Sequence, residues 1–190
     1  MKKVLVTGAG GFIGSQLVDR LLEKNFKVRG LIKYSSNNDL GWLKNNKNRN
    51  LEIIHGDISD YDSVYEAFKN IDYVFNLAAL ISVPYSFKNP ESFIDTNVKG
   101  LINVIRAYKQ NKKKIKKIIQ ISSSEVYGNT ISSKIKVLSE NLKLRSESPY
   151  AASKIAADYL AITSYRSDDT PIVVARPFNT FGPRQSLRAV

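Results

Sequence analysis

Lys3-Val4-Leu5-Val6-Thr7-Gly8-Ala9-Gly10-Gly11-Phe12-Ile13-Gly14-Ser15-Gln16-Leu17-Val18-Asp19-Arg20-Leu21-Leu22 is the stretch that decides the fold. Its first five residues have the length and apolar character of a strand, and Ile13, Leu17 and Leu21 recur four apart, on one face of a helix. Between them lies a glycine turn. Gly8 lets the chain turn tightly, Gly11 lets backbone approach a pyrophosphate, and Gly14 lets helix and strand pack closely. The N-terminus of the following helix offers free N–H groups and a positive dipole end to phosphates. Strand, glycine turn and helix in this order predict a nucleotide site. The bland alternative is a glycine-rich turn with no ligand.

Composition bounds what surrounds that turn. A chain of 190 residues, 43% hydrophobic and 24% charged, is long enough for one domain with a real core. The absence of cysteine excludes disulfides and cysteine–zinc sites, and the single histidine, His55, argues against a metal centre. The apolar run after Met1-Lys2-Lys3 is too short for a secretion signal, and no run approaches membrane-spanning length. A cytoplasmic protein with no membrane partner is expected. The net charge of +12 would attract polyanions. Much of it is lysine scattered among asparagines over residues 44–50, and the densest run, Lys112–Lys117, follows a predicted helix whose dipole it complements. With little base-reading or stacking chemistry nearby, this is a solvated basic face rather than a nucleic-acid site. The remaining tilt is toward an anionic small substrate.

The rest of the chain alternates strand and helix. Lys27–Ile32 reads as a second strand; Lys33 follows it, where a carboxylate that holds adenosine ribose hydroxyls would favour NAD, and a lysine would favour a ribose phosphate. Residues 37–50 read as a loop with one helical turn, anchored by Trp42 and Leu43. Leu51–Asp57 is a third strand; Asp57 either accepts from an adenine amino group or caps a turn. Ser59–Asp62 opens a helix, and Asp72–Ala79 is a fourth strand whose small final residues would let a cofactor lie on backbone. Asn89-Pro90 starts a helix that keeps its spacing to Tyr108. Lys117–Ile121 is a fifth strand running into Ser122-Ser123-Ser124-Glu125. After a loop over 128–147, Ser148-Pro149 starts a helix with Tyr150 and Lys154 on one face, and Pro171–Pro177 is a sixth strand. This alternation predicts an α/β fold with a parallel, doubly wound sheet.

The glycine turn, the Ser123–Glu125 stretch and the Tyr150-Ala151-Ala152-Ser153-Lys154 helix converge on the carboxyl side of such a sheet. Together they resemble short-chain dehydrogenases/reductases, and specifically the extended branch, the NAD-dependent epimerase/dehydratase family of nucleotide-sugar enzymes. Gly56-Asp57-Ile58, Asn76-Leu77-Ala78-Ala79, Thr96-Asn97-Val98-Lys99-Gly100, Ser123-Ser124-Glu125-Val126-Tyr127-Gly128 and Arg176-Pro177-Phe178-Asn179 match in family order across essentially the whole chain. The resemblance implies a Rossmann-type fold. It implies NAD, without excluding NADP, against Gly8, Gly11, Phe12, Ile13, Gly14, Lys33, Asp57, Ile58, Leu77, Ala78, Ala79, Asn97, Tyr150, Lys154 and Pro177. It also implies a homodimer through the helices containing Thr96–Tyr108 and Tyr150–Thr163.

The same resemblance assigns catalysis to Ser123, Glu125, Tyr150 and Lys154, and substrate contact to Ser123, Ser124 and Asn179. Tyrosine is a poor base at its ordinary pKa of ~10; the Lys154 cation and a nicotinamide charge would favour tyrosinate. Tyr150 would take the carbon-4 hydroxyl proton of a sugar nucleotide while hydride leaves carbon 4. Glu125 would take the carbon-5 proton, the carbon-6 hydroxyl would leave as water, and hydride would return to carbon 6. The implied product is a 4-keto-6-deoxy sugar nucleotide. Glu125 distinguishes this 4,6-dehydratase pattern from family epimerases acting at carbon 4. Ser124 stands where the dTDP-glucose branch has aspartate, so Glu125 would also shuttle the proton to the leaving hydroxyl.

Residues 76–86 and 176–186 are similar to dehydratases of the legionaminic-acid pathway, which act on nucleotide-linked N-acetylglucosamine. The family pattern continues past Ser186 through a smaller sugar-nucleotide-binding domain. The chain is therefore expected to comprise a dinucleotide-binding domain over 1–176 and the start of a truncated substrate portion over 177–190, able to bind cofactor but to turn over poorly or not at all. The alternatives are a UDP-glucuronate decarboxylase, a nucleotide-sugar epimerase and, from another class, a non-catalytic dinucleotide-binding protein.

Overall fold

The computed structural model describes residues 1–111, 114–129 and 137–186. Six short strands, β1 (Lys3–Thr7), β2 (Lys27–Ile32), β3 (Leu51–His55), β4 (Tyr73–Asn76), β5 (Lys117–Ile121) and β6 (Ile172–Ala175), form one sheet in the order β3-β2-β1-β4-β5-β6. All five pairings are parallel. The order reverses direction between β1 and β4, and ligands of open α/β sheets bind beyond the strand ends at such a switch point.

Alternation along β1 sorts the core onto two faces. Val4 and Val6 pack with Val18, Leu21 and Leu22 of α1 (Phe12–Glu23), whereas Leu5 packs with Val74 and Ile118 under the helices of the other face. Those are α2 (Tyr61–Phe68), α5 (Gly100–Gln110) and α6 (Pro149–Asp168), which contribute Val64, Phe68, Leu101, Val104, Ala157 and Ala161. Among the described residues, no helix is long and apolar enough to cross a membrane.

β3 and β6 are shorter than their sequence reading, ending at His55 and Ala175, and the structure departs from that reading in four further places. β4 ends at Asn76 rather than Ala79, because the Thr7 hydroxyl accepts from the N–H groups of Leu77 (3.1 Å) and Ala78 (3.0 Å) and draws them out of the ladder. Helix α3 (Val83–Lys88) was not anticipated, although Ser82 caps it and Pro84 lies in its first turn. The helix expected from Pro90 to Tyr108 is broken into α4 (Pro90–Phe93), a π-helical turn over Ile94–Lys99, and α5. In the 37–50 loop Leu43 is buried and Leu40 packs partly against the core, whereas the Trp42 side chain is exposed and anchors nothing. Of the basic run, Lys112 and Lys113 lie outside the described residues, as do residues 130–136 of the long loop and 187–190; Lys114 donates to Asn70 (2.6 Å) and Lys116 lies 3.9 Å from Asp72.

Thr7, Asn76 and Gln120 form a buried polar ladder across β1, β4 and β5. Thr7 Oγ1 donates to Asn76 Oδ1 at 2.7 Å, and Asn76 Nδ2 donates to Gln120 Oε1 at 2.6 Å. Thr7→Val keeps the shape but leaves the amides of Leu77 and Ala78 and the Asn76 oxygen without that partner. A loss of about 2 kcal/mol is expected, measurable as a lower urea midpoint with an unchanged slope.

Candidate active site

The cradle is built at the first crossover. Gly8 has φ of +65°, which L side chains rarely adopt, and a Cβ there would lie 3.0 Å from Ala78 N. Gly14, on the first turn of α1, could carry a Cβ only 2.2 Å from the Gly8 carbonyl oxygen, so helix and turn touch backbone to backbone. Gly11 is different. It caps α1 with extended backbone and no side-chain cap, and a Cβ there would meet only Gly8 O, at 3.3 Å. Its outer side is open, and the first-turn N–H groups beside Phe12 and Ile13 have no side-chain acceptor at the cap position. This fits a pyrophosphate.

Toward the β2 edge, Asp57 plays the turn role. Its Oδ1 accepts from Ser59 N (2.9 Å) and Ser59 Oγ (2.7 Å), and its Oδ2 lies 3.0 Å from Lys33 Nζ. Burial, the largest single influence, pushes its carboxyl up, but the Ser59 bonds and Lys33 together hold it below the ordinary value. Lys33 is thus paired across the ends of β2 and β3. Two residues expected at the cofactor are struts by their side chains. Ile58 is buried in the core, and its carbonyl accepts from Asn103 Nδ2 (3.0 Å). Asn97, in the π-helical turn, accepts from Leu80 N (2.9 Å) and donates to Leu80 O (3.0 Å) and Ser153 Oγ (2.9 Å). It ties the half-buried loop of Leu77, Ala78 and Ala79 to α6, which accounts for the break in helical regularity there.

The reactive groups meet beyond the end of β5. Ser123 caps a 3-10 turn over Ser124–Tyr127, accepting from Glu125 N at 3.2 Å. That turn is joined to the end of β6 by Ser124 N donating to Pro177 O (3.0 Å). Ser148 caps α6, accepting from Ala151 N (3.1 Å), and so sets Tyr150 in the first turn and Lys154 one turn on, both buried. Glu125 is exposed, and its charge is felt by the Tyr150 phenol. Ser123, Glu125 and Tyr150 are therefore brought together. Asn179 is exposed in the bend after Pro177.

Without a nicotinamide charge the electrostatics run against tyrosinate. Burial, with the Glu125 charge adding to it, raises the Tyr150 phenol above its ordinary value; the Ser123 hydrogen bond opposes this without reversing it. The protein alone favours the neutral phenol, and the Lys154 ammonium is drawn instead to the Ile121 carbonyl at 2.8 Å. Lys154 is itself pushed down to about 8 by burial, with Asp158 opposing.

Asp158 escaped the sequence reading. It lies four residues beyond Lys154 and eight beyond Tyr150, on the same helical face, a spacing that could have shown it. It is fully buried and accepts from Arg176 Nε at 2.8 Å, while Arg176 Nη1 donates to Tyr127 Oη at 3.1 Å. A separate groove of about 750 Å³ between β3 and α2, lined by Arg29, Glu52, His55, Asp60 and Glu66, is open, and none of the reactive groups lines it.

Residues 5–190 match the family model described as GDP-mannose 4,6 dehydratase. A probable dTDP-glucose 4,6-dehydratase of Sinorhizobium fredii is 35% identical over 191 residues, covering 95% of this chain and 54% of the relative. Among solved structures, a UDP-N-acetylglucosamine 4-epimerase from Methanobrevibacter ruminantium M1, in complex with UDP-N-acetylmuramic acid, superposes with a TM-score of 0.86 at 39% identity, over 97% of this chain and 57% of that one. A dTDP-glucose 4,6-dehydratase from Bacillus anthracis in complex with NAD gives 0.83 at 29% identity, over 97% and 57%. The chain spans about half the length of the curated relatives it matches.

Proposed function

Because the chain belongs to the NAD-dependent epimerase/dehydratase family of nucleotide-sugar enzymes, we propose that it is the cofactor-binding and catalytic part of an NAD-dependent nucleotide-sugar 4,6-dehydratase. Residues 1–176 form the dinucleotide-binding domain, and 177–190 open the substrate-binding portion. The observation that carries this reading is Glu125, an exposed carboxylate on the turn capped by Ser123, near enough to Tyr150 to raise its phenol. Nucleotide-linked N-acetylglucosamine is the substrate we assign, supported by the substrate named for the M. ruminantium relative. The exposed Ile94, Ile102, Tyr159 and Tyr165 offer the surface for a homodimer.

Gly8, Gly11 and Gly14 would hold the cofactor pyrophosphate at the start of α1. When bound, NAD supplies a reversible acceptor for the hydride of carbon 4. Tyr150 takes the carbon-4 hydroxyl proton, and the Ser123 hydroxyl holds the same oxygen. Since burial raises the phenol in the protein alone, a bound nicotinamide would supply positive charge that favours Tyr150 as a base. With a ketone at carbon 4, the carbon-5 proton becomes acidic and passes to Glu125. Glu125 then hands that proton to the departing carbon-6 hydroxyl, which leaves as water; return of the borrowed hydride to carbon 6, with a proton to carbon 5, would restore the cofactor and give the 4-keto-6-deoxy sugar.

The test uses the whole protein carrying this sequence, incubated with UDP-N-acetylglucosamine and followed by mass spectrometry. Loss of one water is expected. Unchanged mass with inversion at carbon 4 would instead establish the second reading, a 4-epimerase, which the 39% identity to such an enzyme favours. Glu125→Gln is expected to keep NAD affinity and to slow elimination by about a hundredfold. A full dehydratase rate in that variant would remove Glu125 as the base.

A further inference from the structure

The segment that follows β6 crosses the molecule, and the proposed reaction gives it no task beyond Asn179. Its first end is tied to the turn that carries Glu125, where Ser124 N donates to Pro177 O at 3.0 Å. Its other end is tied to α1. Gln16 Nε2 donates to Pro183 O at 2.8 Å, and Arg184 Nη2 lies 2.7 Å from Asp19 Oδ2. Just before these contacts, a Cβ on Gly182 would stand 3.8 Å from the Phe12 ring. The Glu125 turn follows β5 and α1 follows β1, with β4 between those two strands. Adjacent strands lie about 4.8 Å apart, so residues 177–184 pass over about 10 Å of strand ends. Their path crosses the switch point between β1 and β4, where the cofactor crevice opens. Asp19 holds a second wall of that crevice. Its Oδ1 accepts from Asn46 Nδ2 at 2.9 Å, and the loop carrying Asn46 is seated on the glycine turn by Trp42 N donating to Gly10 O at 3.0 Å. One carboxylate thus receives both loops that flank the crevice, one on each oxygen.

We infer that Asp19 is a positioning residue for the cofactor: it clasps the segment over 177–186 and the loop over 37–50 to the outer face of α1, and so slows the exchange of a dinucleotide at the glycine turn. Two features make this a clasp rather than a fixed brace. Arg184 takes φ of +73°, which residues other than glycine rarely adopt. Its contacts therefore hold the segment in a shape that it would leave on release. The ion pair is also within reach of water, the Asp19 side chain being 32% and that of Arg184 29% exposed, so it can open without unfolding the core. All of these contacts lie within the chain, and they oppose entry and exit of a ligand alike. The inference rests on the reading of the glycine turn as the NAD cradle. It suits the proposed chemistry, in which hydride is borrowed and returned and the cofactor need not leave between turnovers.

The experiment mixes the whole protein carrying this sequence with NADH in a stopped-flow instrument, follows the nucleotide fluorescence, and chases bound NADH with excess NAD. Asp19→Asn keeps an amide oxygen for Asn46 but loses the charge that holds Arg184. In that variant release and uptake are both expected to quicken by about fivefold, near the upper range for a half-exposed ion pair. The dissociation constant is expected to change little, because the clasp favours neither the free nor the bound state. Arg184→Gln is expected to do the same. Exchanging the charges, with Asp19→Arg and Arg184→Asp together, is expected to restore slow exchange, which a residue that merely supports the fold would not do. Unchanged rates in both single variants overturn the inference. Faster release with native uptake also overturns it, since that is the mark of a damaged cradle, and so does a charge exchange that restores nothing. A native protein that takes up no NADH overturns the cofactor reading itself, and the inference with it; that outcome is told apart because it leaves no exchange to measure. No sugar is present, so the result is independent of whether the whole protein dehydrates one.

Discussion

Gly14→Ala lowers stability by about 3 kcal/mol and weakens NAD binding by about tenfold or more. Helix propensity alone predicts the opposite sign, because alanine in a helix interior is favoured over glycine by about 1 kcal/mol. The contact decides. A Cβ at Gly14 would lie 2.2 Å from the Gly8 carbonyl oxygen and 3.0 Å from its carbon. Both are backbone atoms of a turn whose φ of +65° leaves it little freedom to move, so the helix must back away from β1 and carry its first-turn N–H groups with it. Gly11→Ala is the control. Its Cβ meets only Gly8 O at 3.3 Å, and its extended backbone suits alanine. That variant is expected to lose affinity, because the methyl group would occupy the open face proposed for the pyrophosphate, with a much smaller drop in urea midpoint than Gly14→Ala, since its approach to Gly8 O is 3.3 Å rather than 2.2 Å. Calorimetric NAD titration with urea unfolding checks both; a Gly14→Ala protein as stable as the native one refutes the close-packing argument.

On the proposed function, Lys154→Met is expected to abolish turnover by the whole protein, by about a thousandfold or more, and yet to stabilise the protein at neutral pH. Pushing the ammonium from 10.5 down to about 8 by burial corresponds to a cost of about 3 kcal/mol for keeping it charged below pH 8. Methionine fills the same space without that cost. Against this, the Ile121 carbonyl loses its donor, about 1–2 kcal/mol, the Asp158 attraction being already contained in the value of about 8, so a net gain of about 1–2 kcal/mol is expected. The pH dependence fixes the sign. The folded-state value lies below the unfolded one, so below about 8 both states hold the proton and the native state bears the full cost. Between about 8 and 10.5 only the unfolded state keeps it, and native stability rises with pH. The advantage of Lys154→Met should therefore be greatest below pH 8 and fade by pH 10. The raised tyrosines, Tyr108 and Tyr150, act alike in both proteins and cancel in the difference. Urea unfolding at pH 7 and pH 9.5 reads it directly, and a variant less stable than the native protein at pH 7 would contradict it. A more stable but inactive variant would show function holding an unfavourable charge in place.

Much of this molecule is local in its sequence. The six strands, α1, α2 and α6, the caps at Asp60, Asn89 and Ser148, and the separate tasks of Gly8, Gly11 and Gly14 follow from periodicity and turn chemistry within a few residues. Helix α3 was equally legible, since Ser82 and Pro84 carry the cap-and-proline signal that identified two other helices. Ser123, Glu125, Tyr150 and Lys154 could be named from their motifs, but whether they meet depends on α6 packing against β6 and against the 3-10 turn that follows β5. What only the tertiary structure decided lies in contacts between distant residues. The Thr7–Asn76–Gln120 ladder needs the register of three strands, Asn97 needs the approach of Leu80 and Ser153, and the Asp158–Arg176 pair needs α6 seated on β6. Charge states belong to the same class. Burial, a property of the packed molecule, pushes Tyr150 up and Lys154 down, and no spacing of residue types along the chain contains the desolvation that does it.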